Sequence, residues 1–162
     1  MERFFIFLII ALATAAGGGA AVVLYEDEAA MEWGFCEPAA ARYFAAWYPE
    51  LWQSQVDPIP AQAKVFWEDV DFDTHAAVGV YMGEQTTGGY AIAIGRLELQ
   101  AEWLIATVVS REPGLEDMVT QAFTYPSDLV TVDKNLLTRA DAVPIGVRFV
   151  SPDGEHLYEL MF

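Results

Sequence analysis

Ala76-Ala77-Val78-Gly79-Val80-Tyr81-Met82, then Gly83-Glu84-Gln85-Thr86-Thr87-Gly88-Gly89, then Tyr90-Ala91-Ile92-Ala93-Ile94 is the stretch that decides the fold of this chain. Its two outer runs are short, apolar and rich in Val, Ile and Tyr, which suit a pleated, half-buried surface. Runs of that length bounded by turn residues read as strands. The segment between them is a loop of defined chemistry. Adjacent glycines let the backbone take φ > 0 or approach a neighbour closely. The flanking threonines can hydrogen-bond the turn, and Tyr90 can anchor its exit. No residue of this loop is an obvious nucleophile, base or metal ligand, so it points toward binding or architecture rather than chemistry.

Outward from this stretch the pattern repeats. Trp103–Val109, Asp128–Val132, Val143–Val150 and His156–Phe162 read as further strands, with turns at Glu112-Pro113-Gly114 and Ser151-Pro152-Asp153-Gly154. Short strands at such spacing predict an all-β domain, an antiparallel sandwich or a partly closed barrel. Two-residue periodicity places Ile92, Ile94, Leu104, Val108, Val130, Val147 and Phe149 in its core. Upstream, Pro38 followed by Ala39-Ala40-Ala41-Arg42-Tyr43-Phe44-Ala45-Ala46-Trp47-Tyr48 predicts a short α-helical segment, with Tyr43/Trp47 and Phe44/Tyr48 as i,i+4 pairs and Pro49 as its stop.

The first residues have a different character. Phe4 to Leu24 carry no charge, Arg3 precedes them, and Ala13-Thr14-Ala15 has the small-x-small form of a signal-peptidase site. The run is also long enough to span a bilayer if it is kept. Gly17-Gly18-Gly19 suit a cleavage region better than a helix centre. The chain is thus expected to divide into a signal peptide or membrane anchor (1–25), an acidic and aromatic helical segment (26–60) and a β domain (61–162). The domain is expected on the far side of the membrane, periplasmic or anchored by residues 4–24.

A net charge of −16 with only eight Lys and Arg argues against nucleic acid as a partner. Membrane contact is expected only through the N-terminal segment. Cys36 is the one cysteine, so no intrachain disulfide holds the domain. Asp69, Asp71 and Asp73 alternate as a strand face would, with Val70 and Phe72 opposite as core. They fail the EF-hand form, because Thr74 stands where Gly is needed and Val80 where the closing Glu belongs. His75 and His156 lie far apart and complete no zinc spacing. Ser54, Ser110, Ser127 and Ser151 sit in no nucleophile-elbow context. Gly88-Gly89 is followed by no Gly-Lys-Ser/Thr and opens no helix pattern, so it is no phosphate loop. No catalytic residue, metal site or cofactor is expected.

Val70-Asp71-Phe72 through Val80-Tyr81-Met82-Gly83-Glu84-Gln85-Thr86-Thr87-Gly88-Gly89-Tyr90 resembles the core of the PrcB C-terminal domain family. That family shows an Asp-Phe step, a strand, a Gly-Glu pair and a Thr-Gly-Gly-Tyr loop. A second block, Val119-Thr120-Gln121-Ala122-Phe123-Thr124-Tyr125-Pro126, then Leu129-Val130 and Lys134, is similar too. The resemblance implies an exported, non-catalytic, protein-binding domain, an accessory or stabilising subunit of a secreted or periplasmic protease. Thr86, Thr87, Gly88, Gly89 and Tyr90 would be its binding loop, with Gln121, Thr124, Tyr125 and Pro126 as the second block. No lipobox precedes Cys36, so lipid anchoring is not carried over. A weaker resemblance links Gln85-Thr86-Thr87-Gly88-Gly89-Tyr90 to the Asn-Pro-Thr-Thr-Gly-Tyr loop of chagasin-type cysteine-protease inhibitors, which have an immunoglobulin-like sandwich. Asn-Pro is missing here and a glycine is added. The alternatives are therefore an inhibitor that inserts Thr86–Tyr90 into a cleft, and a structural envelope domain in which that loop is only a turn.

Overall fold

A computed structural model describes residues 22–26, 42–48, 70–138 and 143–162. Among the described residues eight strands and one short helix follow in chain order: β1 (Val22–Glu26), β2 (Arg42–Ala46), β3 (His75–Tyr81), β4 (Ala91–Gln100), β5 (Trp103–Arg111), β6 (Ser127–Asp133), α1 (Lys134–Thr138), β7 (Gly146–Val150) and β8 (His156–Met161). They form two sheets, one ordered β1-β4-β5-β7-β8 and the other β2-β3-β6. Both crossings between β3 and β6 occur at one end. The chain leaves β3 through residues 82–90 to enter β4, and leaves β5 through residues 112–126 to reach β6.

The all-β two-sheet expectation holds, and among the described residues the sheets do not close into a barrel. One pair departs from the antiparallel expectation: β5 and β7 run parallel, Leu104 against Val147 and Ala106 against Phe149. The chain visits the other sheet as β6 and passes through α1 before it returns. That is the long connection a parallel pair requires. All seven expected core residues are buried, Ile94, Leu104, Val147 and Phe149 completely.

Residues 42–46 correct the helix expectation, because they form a strand paired along β3 with Phe44 opposite Gly79. The run Tyr43-Phe44-Ala45-Ala46-Trp47 satisfies two periods at once. As a helix it offers i,i+4 aromatic pairs. As a strand it sends Tyr43, Ala45 and Trp47 into the main core and Phe44 and Ala46 into a second cluster with Ala77, Val70, Phe72 and Leu129. Pairing with β3 buries both faces, and tertiary packing overrides local propensity. Trp47 packs on Phe162, and Tyr43 stacks on Tyr158 of β8.

Two boundaries also differ. β4 runs on to Gln100, past Gly95, where the expected strand ended. The register with β5 skips Gly95, an extra residue between Ile94 and Arg96. That bulge shifts the phase by one, so Ile92 and Ile94 before it and Leu97 and Leu99 after it all reach the core. The Ile94 N–H beside the bulge finds a partner outside its sheet: it donates to Asp128 Oδ2 of β6 at 2.9 Å. At the other end, β1 takes Val22 to Leu24 from the apolar run and pairs Val22 with Leu99 and Val23 with Glu98 of β4, so the sheet begins before residue 25. The rest of that run, Cys36 and Asp69 lie outside the described residues.

Leu104→Ala removes a fully buried side chain from the middle of the five-stranded sheet. It is expected to cost about 2–5 kcal/mol in denaturant unfolding.

Candidate functional site

The two sequence blocks meet in space. Beyond the end of β3 and β6 the pairing continues as a seam between the crossings. Met82 N–H donates to Pro126 O at 2.9 Å, and Gln85 and Thr124 exchange both backbone bonds at 2.8 and 2.9 Å. Farther out, Gly88 N–H donates to Thr120 O at 2.9 Å. Side chains add to it: Thr124 Oγ1 donates to Thr87 O at 2.9 Å, and Tyr125 Oη donates to Glu84 Oε2 at 2.7 Å. Arg111 Nε reaches Gly89 O at 3.4 Å.

This seam explains the glycines. A Cβ on Gly88 would lie 2.3 Å from Thr120 Oγ1, closer than two atoms can pack. Gly89 has φ +89° and faces Val119 and Pro113. One needs the absence of a side chain for close approach, the other for backbone conformation. The loop is therefore held along its length against the second block.

Among the expected site residues, Gly88 and Pro126 are buried, and Thr87, Gly89, Tyr90, Thr124 and Tyr125 are half-buried. Thr86 and Gln121 are exposed. Sequence alone pointed to the two blocks but not to their pairing. It also missed Glu84 as the partner of Tyr125 and Asp128 as the link between sheets. It gave no sign of the exposed Leu115, Met118 and Phe123, which lie on the second crossing.

The ends of β3 and β6 are tied at the opposite pole. The strand expected to carry the aspartates begins only at His75; Asp71–Thr74 form a turn instead. Asp71 closes it, accepting from Asp73 N–H at 3.1 Å and Thr74 Oγ1 at 2.7 Å. A side chain that satisfies its own backbone in this way competes with strand extension. The Thr74 hydroxyl, helped by the Asp73 N–H, lowers the Asp71 pKa below the ordinary 3.8. Val70 and Phe72 pack in the second cluster, as expected of them. Lys134 completes the junction: its N–H donates to Thr74 O at 2.9 Å and its ammonium donates to Phe72 O. The same ammonium lies 5.2 Å from the Trp47 ring and 5.1 Å from that of Tyr48. Burial lowers the Lys134 pKa, while Asp73 and Asp71 pull it the other way. Asp71, Phe72 and Lys134 thus serve the architecture.

Residues 76–133 match the family model described as PrcB C-terminal. The match opens in β3 and closes at the last residue of β6, so it takes in both crossings and the whole seam between them. The chain is similar to that family over this stretch, which stops short of Asp71-Phe72 and Lys134. No curated protein and no solved structure matches the chain.

Gly88→Ala is expected to destabilise by roughly 1 kcal/mol or more. Thr120→Ala removes the oxygen in the way and should restore part of that loss. A double-mutant cycle by thermal or denaturant unfolding checks the coupling; additive effects would mean that the two residues do not touch. Asp71 gives a pH test. Its folded pKa is lowered, so its contribution is fully present above the unfolded value and is lost as pH falls through the folded one. The Tm gap between the native chain and Asp71→Ala should be level above about pH 5 and narrow below pH 4.

Proposed function

We propose that this chain is an exported, non-catalytic protein-binding domain that serves as an accessory or stabilising subunit of a protease complex. The observation that carries it is the match of residues 76–133 to the PrcB C-terminal family, a stretch whose two ends enclose the seam. The seam holds the Thr86–Tyr90 loop rigid and leaves Thr86 and Gln121 open to a partner. A surface preordered in this way loses little entropy on binding. Export is inferred from the uncharged run Phe4–Leu24 ahead of an acidic domain. The seam favours this role over insertion of the loop into a cysteine-protease cleft, because Thr87 and Gly88 are engaged by Thr124 and Thr120.

Two measurements test the proposal. A cytoplasm-only reporter fused after Phe162 should be inactive; activity would overturn export. Affinity capture of the full chain from its own compartment should recover a protease. Thr86→Ala and Gln121→Ala should reduce that recovery while leaving Tm almost unchanged. If no protease is recovered, or recovery only follows Tm, the accessory role is wrong and a purely structural domain is left.

A further inference from the structure

We infer that the turn Gly114–Asp117 and the residues beside it form a docking knob that enters an apolar pocket with a basic rim on a partner protein. Leu115 is 107% exposed, Met118 101% and Phe123 62%, all on the crossing from β5 to β6. Exposed apolar residues scattered singly need no explanation, but grouped ones mark contact surfaces. Here one side chain on a turn and one just after it have essentially all their surface in water.

The turn is built to hold them there. Asp117 N–H donates to Gly114 O at 3.1 Å, and Gly114 N–H donates back to Asp117 Oδ2 at 2.7 Å. Its roots are fixed as well: Pro113 and Val119 pack at Gly89, and Thr120 accepts from Gly88. The apolar pair is therefore presented on a rigid base, which reduces the ordering cost of binding.

Charge selects the occupant. Glu112, Glu116 and Asp117 neighbour Leu115 and Met118 along the chain and are exposed with them, with Arg111 at the root of the crossing. Carboxylates beside the apolar tips oppose entry into a lipid surface, which is anionic or costly for buried charge. A second copy of a chain of net charge −16 would meet like charge. An apolar pocket bordered by Lys or Arg satisfies both components, burying the tips and pairing the rim. The inference rests on the domain working by protein contact and does not require the partner to be a protease.

The test places a photo-crosslinking p-benzoylphenylalanine at Met118 in the full chain, in the cells that make it, and separately at Thr86. Met118 should give a protein adduct whose crosslinked site is apolar and flanked by Lys or Arg. With that partner purified, Leu115→Ser and Glu116→Lys should each weaken binding about tenfold. Tm should not move, since neither side chain is buried. A lipid adduct, an adduct to a second copy, an adduct to an acidic surface, or none from Met118 overturns the inference. So does native affinity in Leu115→Ser. An adduct from Thr86 alone would leave the protein-binding role standing while removing the knob.

Discussion

The structure depends on a backbone-to-backbone seam in which Gln85 and Thr124 exchange hydrogen bonds and Gly88 lies against Thr120. Strands β3 and β6 are neighbours in one sheet, yet between them the chain crosses to the other sheet and back. Each crossing exposes a length of backbone whose polar groups need partners. The seam supplies them from the other crossing, so the β3–β6 ladder continues past the edge of the sheet. Close approach of two backbones leaves no room for a side chain, which fixes glycine at position 88. The glycine chemistry of the loop is thus first a solution to a packing problem.

The same economy appears where the sheets face each other. The bulge at Gly95 turns the second half of β4 so that Leu97 and Leu99 join Ile92 and Ile94 in the core. Beside the bulge, the Ile94 N–H bonds outside its own sheet. Asp128, reaching across from β6, accepts that bond and its own neighbour's, from Leu129 N–H at 2.9 Å. A buried donor left open would cost about 1–3 kcal/mol, so one carboxylate lets the sheet bend without that loss. Lys134 acts alike at the far pole, joining the exit of β6 to the turn before β3.

Much of this was legible in residue order, and the rest was hidden for physical reasons. Strands β3 to β8 and the seven core residues followed from a period of two, because burial on one face writes that period into sequence. The φ > 0 glycine followed from the paired-glycine loop. Residues 42–46 misled because aromatic and alanine residues at that spacing fit both a helix and a strand, and only the free edge of β3 decides. Gly95 looked like a strand end because a bulge and a stop use the same residue. Glu84 with Tyr125, and Ile94 with Asp128, are separated by 41 and 34 residues. No local pattern encodes such pairs. Within the site, the blocks were visible and their contact was not.

The five-stranded sheet ends at β8, whose outer edge has no neighbour among the described strands. An open edge invites another strand, and the usual guards are lysine, proline or a very short strand. β8 has none of these in His156-Leu157-Tyr158-Glu159-Leu160-Met161. A bulge at Leu157 interrupts that edge, and copies of net charge −16 repel one another. That protection is a property of the medium as much as of the fold: acid near the isoelectric point of about 4.1 neutralises it. Colloidal behaviour, and with it the conditions under which this molecule can be concentrated, is therefore set by pH at an edge that takes no part in the seam.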